Sequence, residues 1–428
     1  MKPPAESIGV NIAGNTPPET ESDISCQDSK MPRSKPWLLV GLLGIVALLN
    51  YLDRQVIFSL LPLLRTDLQL TDPQLGLLGA TFLWVYAFCS LFAGWTAQRF
   101  GHRKIILLSL CAWSLVTALT GLSTGFASLS ATRAAMGITE AFYIPAALAL
   151  VTAAHHERHR SLAVSLHQSG IYFGILLGGG PGAYAGIQIG WRNIFFVLGA
   201  VGIAYAVILF RALPKSTAIP TTKPPDYIDT TRAILKSPGF WPIFLIFGAV
   251  SFAHWMVYTW MPLYLYDRFQ FNLQNAGLSA TVFTQVSGLL GIVLGGWMAD
   301  KLSRSRPRGR IVTQTLGLLI AAIFMILTGT AATAPMLLAA LFIYSFGRGI
   351  YDCNVMPVLC DVVDEDQRST AYGLLNFAGT FVGGLAAYGA GALRSVIGLD
   401  GALLGAGVII LCSAALLVKI PTPKFTAS

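Results

Sequence analysis

Charge is what this chain has least of. Its 428 residues include 29 Lys+Arg and 20 Asp+Glu, 11% in all, where an ordinary soluble domain has about 25%. With 54% hydrophobic residues and a mean hydropathy of +0.63, too little polar surface remains to cover a water-soluble globule. A soluble enzyme is excluded on that ground. Cysteine is as sparse: Cys89, Cys111, Cys353, Cys360 and Cys412 lie in apolar segments, Cys26 in a polar one, and no spacing pairs them. Neither a disulfide framework nor a zinc site is indicated. The glycines from Gly174 to Gly182 are followed by no Walker lysine, and no His-rich cluster occurs, so ATP chemistry, a metal and a cofactor are not expected. The net charge of +9 is scattered in short pieces between apolar runs, which argues against a nucleic-acid partner. Residues 1–36 lack the apolar core of a signal peptide and are expected to form a disordered cytosolic tail.

What is present is long apolar segments broken by short polar punctuation. From Trp37 to Ile420 they divide into twelve spans, near 37–61, 73–97, 104–122, 126–153, 161–187, 192–213, 240–265, 275–300, 310–329, 334–360, 369–392 and 399–420. Residues 214–238 are the one long polar connection and split the spans six and six. Placing both termini in the cytosol puts 22 of the 29 Lys+Arg on that side. Only Arg65, Arg192, Arg268 and Arg394 fall opposite, as retention of positive residues in the cytosol requires. The halves also repeat at offsets of 200 to 212: Leu61-Pro62-Leu63 matches Met261-Pro262-Leu263, and Gly137-Ile138-Thr139-Glu140 with Pro145 matches Gly349-Ile350-Tyr351-Asp352 with Pro357. The expected fold is an all-α polytopic membrane protein of two six-helix bundles, 37–213 and 239–420, with a cytosolic linker at 214–238, a tail at 421–428 and a cavity at mid-membrane.

The segment Gly94-Trp95-Thr96-Ala97-Gln98-Arg99-Phe100-Gly101-His102-Arg103-Lys104 resembles the Gly-x-x-x-Asp-Arg-x-Gly-Arg-Arg/Lys signature of the major facilitator superfamily, and a second copy from Gly296 keeps Asp300. The likeness extends from Trp37 to Ile420. It implies that Gln98, Arg99 and Asp300 belong to a cytosolic gate. Gln98 stands where the family usually has Asp, so that latch should be weaker, since an amide accepts a hydrogen bond but offers no charge. Asn50-Tyr51-Leu52-Asp53-Arg54 and Arg133-x-x-x-Gly137-x-x-Glu140-Ala141 resemble the anion:cation symporter branch, which carries sugar acids, organic phosphates and other carboxylates. Spinster-like lysolipid transporters share a similar Asp-Arg pair and span-four carboxylate. The resemblance implies a non-enzymatic secondary transporter of the inner (plasma) membrane, acting as a monomer by alternating access and moving a small organic anion with protons. The alternatives are a spinster-like exporter of an amphiphile, lysolipid or drug and, from another class, a ligand-binding membrane sensor.

Ionisable groups inside hydrocarbon cost from about 2.5 kcal/mol upward, so each one demands an explanation. Arg54 reads either as the fork that grips a substrate carboxylate, with Asp53 as its proton-binding partner, or as part of a buried ion pair that holds neighbouring helices. Glu140 is the expected proton-coupling carboxylate, and Arg133, seven residues away on the same helix face, modulates it or holds it in a structural contact. His254, at an offset of 200 from Arg54, reads as a donor to the anion or as a core imidazole. Tyr51, Tyr143, Tyr258, Gln168 and Asn376 are candidate polar lining of the substrate cavity. Arg348 and Asp352, four apart, suit an ion pair with a gating role better than substrate contact. Asp361, Asp364, Glu365 and Asp366 read as a solvated loop or a gate latch. Two stripes of small residues, Gly174, Gly178, Gly182, Gly186 and Gly379, Gly383, Ala387, Gly391, suit two bundles sliding on one another.

Overall fold

In a computed structural model of the chain, residues 35–155, 157–213, 227–303, 305–364 and 367–420 are described. Both tails, residues 214–226 of the linker, and Glu365 and Asp366 of the acidic run lie outside them. Every regular element among the described residues is a helix. The N-terminal half holds α1 (Lys35–Ser59), α2 (Leu61–Asp67), α3 (Asp72–Phe100), α4 (His102–Thr120), α5 (Phe126–Glu140), α6 (Tyr143–Ala154), α7 (Glu157–Ile189) and α8 (Trp191–Ala212). After the connecting helix α9 (Tyr227–Lys236), the C-terminal half holds α10 (Phe240–Phe269), α11 (Leu273–Ser303), α12 (Gly309–Thr330), α13 (Ala334–Cys360), α14 (Arg368–Ala392) and α15 (Arg394–Ala414). Ten stretches among the described residues are long and apolar enough to cross a membrane, α5 and α6 together making one. The glycine-rich α7 and α14 complete the twelve expected spans, small residues contributing little hydropathy. Leu108, Leu115, Phe210 and Val293 are exposed, as a lipid-facing surface requires.

Prolines account for most departures from the expected spans. Pro62 has no N–H to offer the carbonyl of Phe58, so α1 ends at Ser59 and α2 restarts as a separate turn with Pro62 in its first turn. Pro145 likewise leaves the carbonyl of Ala141 without its helical partner, and the expected continuous span 126–153 divides into α5 and α6 immediately after Glu140. Part of the expected polar linker is helical: α9 buries Thr230 and Ile234, one turn apart, and carries Asp229 in its first turn and Lys236 in its last. The α3–α4 corner turns at Gly101, whose φ of 92° explains the glycine of the signature there.

The α7 stripe does something other than let the halves slide. On α7, a Cβ at Gly170 would run into the carbonyl of Gly44, one at Gly174 into that of Leu48, and one at Gly178 would meet that of Leu52 at 2.8 Å. The stripe is therefore the seam along which α1 and α7 lock together inside one half. The same device recurs between α11 and α13, where Gly291 faces the carbonyl of Phe346 and Gly349 that of Gly288. Close contact between the halves is made by Gly179 against Gly277 and Thr281, by Gly76 of α3 against the carbonyl of Ala387, and by Gly391 of the α14 stripe against the carbonyl of Asp72. Trp84 and Trp260 strengthen this seam, donating from their indole N–H to the carbonyls of Phe381 (3.1 Å) and Ala387 (2.9 Å) of α14. Gly174→Leu is expected to force α1 and α7 apart and to lower the yield of folded protein and its melting temperature by overpacking worth about 3 kcal/mol or more. Gly41→Leu, with nothing within 4 Å of the added Cβ, should leave both nearly unchanged in the same fluorescence-detected melting assay.

Candidate functional site

Four charged side chains meet inside the N-terminal half. Asp53 and Arg54 are neighbours in sequence, but successive side chains on a helix point about 100° apart, so they reach different partners. Arg54 donates from Nε and Nη2 to Glu140 Oε2 at 3.2 and 2.6 Å, and its side chain and that of Glu140 are 3% and 0% exposed. Its guanidinium lies over the rings of Tyr51, Phe82 and Tyr86 at 4.4, 4.6 and 5.1 Å, and Asn50, one turn earlier on α1, offers its carbonyl oxygen. Asp53 instead accepts from Thr117 of α4 at 3.1 Å. Arg133 is buried within electrostatic range of Glu140, Asp53 and Arg54, with Nε and Nη2 unbonded among the described residues. Two expectations are corrected here. Arg54 pairs with Glu140 across neighbouring helices, and it is closed off rather than held open as a substrate fork. Glu140 binds Arg54 rather than Arg133 because α5 ends at Glu140 and turns its carboxylate towards α1.

A second charged group lies in the C-terminal half beside a small recess between the halves. Gln55 and Ile175 line it from the N-terminal half; His254, Tyr258, Thr281, Thr284, Gln285, Tyr344 and Arg348 line it from the other. Arg348 donates from Nη1 to His254 Nδ1 and pairs through Nε with Asp352 Oδ2 at 3.0 Å. Unlike the Arg54–Glu140 pair, these side chains are partly open, 19% and 31% exposed. Tyr172 of α7 and Tyr372 of α14 lie within electrostatic range of Asp352, so both halves contribute to its surroundings. Their sequence context carried no signal beyond a tyrosine in an apolar helix.

The remaining candidates scatter. Tyr143 does not line the recess: its hydroxyl donates to the carbonyl of Leu43 at 2.5 Å and meets His167 Nε2 at 3.0 Å, deep inside the N-terminal half. Gln168 and Asn376 are half-buried, on α7 and α14. Arg99 and Asp300 are exposed, with no ion pair for either among the described residues, and the side chain of Gln98 lies outside them. Asp361 pairs with Arg310 of its own half at 3.8 Å.

Ion pairs gather at the opposite end of the molecule. All four arginines assigned there by charge counting are bound to aspartates. Arg65 donates to Asp267 at 2.7 Å, and Arg394 donates to Asp72 at 2.8 Å and Asp267 at 2.5 Å, so ion pairs from Arg65 to Asp267 and from Arg394 to Asp72 join the halves. Arg192 and Trp191 donate to Asp67 at 2.6 and 2.9 Å within the first half, and Arg268 and Tyr264 donate to Asp400 within the second. The hydrogen bonds from Trp191 and Arg192 hold the Asp67 carboxyl below its ordinary 3.8. That contact is therefore complete above the usual carboxylate range and is lost only as pH falls through the lowered value. Away from this end the seam between α3 and α14 continues through Phe88 against Phe377 and Phe381. Beyond it, Phe92 and Tyr372 are exposed and a Cβ at Gly373 would meet nothing within 4 Å. The halves are latched at one end and diverge at the other.

Among the described residues, twelve helical stretches of membrane length in two repeated halves, joined by ion pairs at one end and with a charged recess between them, define a membrane transporter fold. The family model of the Major Facilitator Superfamily matches residues 43–388, and the chain belongs to that superfamily. It is 28% identical over 415 residues to an MFS-type efflux pump of Mycolicibacterium smegmatis, covering 94% of each chain. It is 25% identical to a D-galactonate transporter of Escherichia coli O6:H1, covering 81% of this chain and 86% of that one. Among solved structures it resembles a bacterial homologue of the human lysosomal transporter Spinster, with a TM-score of 0.79 at 20% identity, covering 92% of this chain and 98% of that one. That last likeness concerns the fold.

Removing one partner of a buried pair strands the other charge at a cost of about 3–5 kcal/mol. Glu140→Ala is accordingly expected to lower the melting temperature sharply, and the double variant Arg54→Met with Glu140→Leu to restore most of it. For the latch, Asp267→Asn removes the carboxylate shared by Arg65 and Arg394. Spin labels at positions 71 and 393 should then show, by double electron–electron resonance, a longer distance population that is rare in the wild type.

Proposed function

We propose that this superfamily member is a secondary active transporter that moves a small organic anion, a sugar acid in the first instance, together with protons. Its halves, residues 37–213 and 239–420, rock about the recess, and the chain works as a monomer in the inner membrane with both termini in the cytosol. The observation that carries this reading is the placement of a charged recess directly beside a dry arginine–carboxylate cluster, between halves latched at one end only. In this reading the latched end, which carries the four arginines that charge counting places outside, faces away from the cytosol and the other end faces it. A D-galactonate transporter among the relatives supports the cargo class.

Glu140 and Asp53 are the proton carriers in this reading. A carboxylate with no water around it is stable either paired or protonated. Protonating Glu140 frees Arg54, and Arg133 stands within range to compensate whichever carboxylate remains ionised. Arg99 and Asp300, both exposed, are the gating groups in this reading and meet only when the halves close at the cytosolic end. Tyr51, Tyr258, Gln168 and Asn376 supply polar contacts to a hydroxylated cargo as the recess changes shape.

The test is uptake into proteoliposomes of D-galactonate, D-glucarate, D-glucuronate, glycerol 3-phosphate and a lysolipid under an imposed proton gradient. Accumulation of a sugar acid that a protonophore collapses, and that Glu140→Gln reduces by roughly tenfold or more, is the expected result. If no acid accumulates and the lysolipid moves outward, the chain is an exporter, in keeping with its likeness to an efflux pump.

A further inference from the structure

How cargo is held, an inference that rests on the anion-transport reading, turns on a different arginine from the one the sequence singles out. Arg54 has nothing to offer a ligand: two of its nitrogens are on Glu140, its face is covered by three rings, and it is shut off from the recess. Arg348 is the reverse case. It lines the recess, its side chain is partly exposed, and its carboxylate partner Asp352 is more exposed still. Since a guanidinium donates only, the Nδ1 of His254 that faces Arg348 Nη1 must accept. The imidazole is then neutral with its proton on Nε2, so it orients the arginine without balancing its charge. Asp352 alone balances it.

We propose that Arg348, oriented by His254, takes the carboxylate of the cargo, and that Asp352 is the resident carboxylate the cargo displaces. Charge balance then brings in a proton. One guanidinium cannot neutralise two carboxylates crowded against it, so a proton from solvent binds the partly exposed, displaced Asp352 carboxylate as the anion arrives. A monoanion thus enters with one proton, at a place separate from Glu140. The groups that face Asp352 allow this: Tyr344, Tyr351 and Cys353 on its own helix, Tyr172 from α7 and Tyr372 from α14. All are neutral in the physiological range, so among these groups and Arg348 the arginine is the one charge Asp352 answers to. The roles assigned to this pair by spacing alone, structure or gating, give way to cargo recognition.

Binding of D-galactonate, D-glucarate and D-glucuronate to purified protein, followed by thermal shift between pH 6 and pH 8, tests the exchange. In the wild type, affinity should rise as pH falls. Asp352→Asn imitates the protonated carboxylate and should bind several-fold more tightly with a shallower pH profile than the wild type, whereas Arg348→Ala should lose roughly tenfold or more. A structural role for the pair would weaken binding in both variants, and that outcome overturns the proposal. A second measurement needs no cargo: modification by phenylglyoxal, read by mass spectrometry. Arg348 should react much faster than Arg54 and faster again in Asp352→Asn; equal rates for the two arginines overturn the proposal. Failure of every sugar acid to bind, with Arg348 still selectively modified, sinks the cargo class and leaves the anion site standing.

Discussion

An arginine inside a dry helix bundle must bring its own anion, and the N-terminal half is arranged around that requirement. Arg54 and Glu140 are 86 residues apart, and their contact holds α1 against the end of α5. The α1–α7 seam of glycines fixes one face of α1, and the rings of Tyr51, Phe82 and Tyr86 occupy the space on which the guanidinium lies. With both acids and both arginines ionised the cluster is neutral. Any proton that enters leaves it with an unbalanced positive charge, which the approach of an anion relieves. In the proposed cycle a buried ion pair, a poor source of stability by itself, serves as the means of coupling.

The repeat shows the same parts put to different uses. Glu140 and Asp352 occupy corresponding places five residues before Pro145 and Pro357, yet one is dry and the other is partly exposed, paired with the arginine that lines the recess. Arg54 corresponds to His254, and the arginine of the second half comes from α13 instead, which moves the positive charge from beneath the aromatic rings to the cavity wall. The latch repeats too: Asp67 with Arg192 in the first half answers to Asp267 with Arg394 in the second. Only the second pair is extended by Arg65 and Asp72 into a bridge between the halves. These ion pairs are partly exposed, each worth about 0.2–1 kcal/mol singly, so together they hold one end shut without making it hard to open.

Helix count, the division into halves and the repeat were legible because hydropathy and duplication are written along the chain. Positions of intramembrane charge were legible for the same reason: an Arg or Glu in an apolar run stands out. Their partners were not. Which way Arg54 and Asp53 point depends on the rotation of α1 against α4, α5 and α7, and no local signal encodes it. Tyr143 reads like any polar aromatic residue in a helix, and only the approach of α1 gives its hydroxyl the carbonyl of Leu43. The break after Glu140 was available in Pro145. The glycine spacing showed close packing but not against what, and the four aspartates of the latch looked like ordinary loop residues until the two halves were set side by side.

If a proton moves with each anion through this pair of charge clusters, one dry and one open, its arrival is the quantity to record. The most direct measurement is the internal pH of proteoliposomes during D-galactonate entry with no proton gradient imposed, read with a trapped dye. The account predicts acidification that keeps pace with uptake in the wild type and that falls away in Glu140→Gln while exchange of D-galactonate across the membrane continues. Sustained D-galactonate entry with no change of internal pH in the wild type would contradict it.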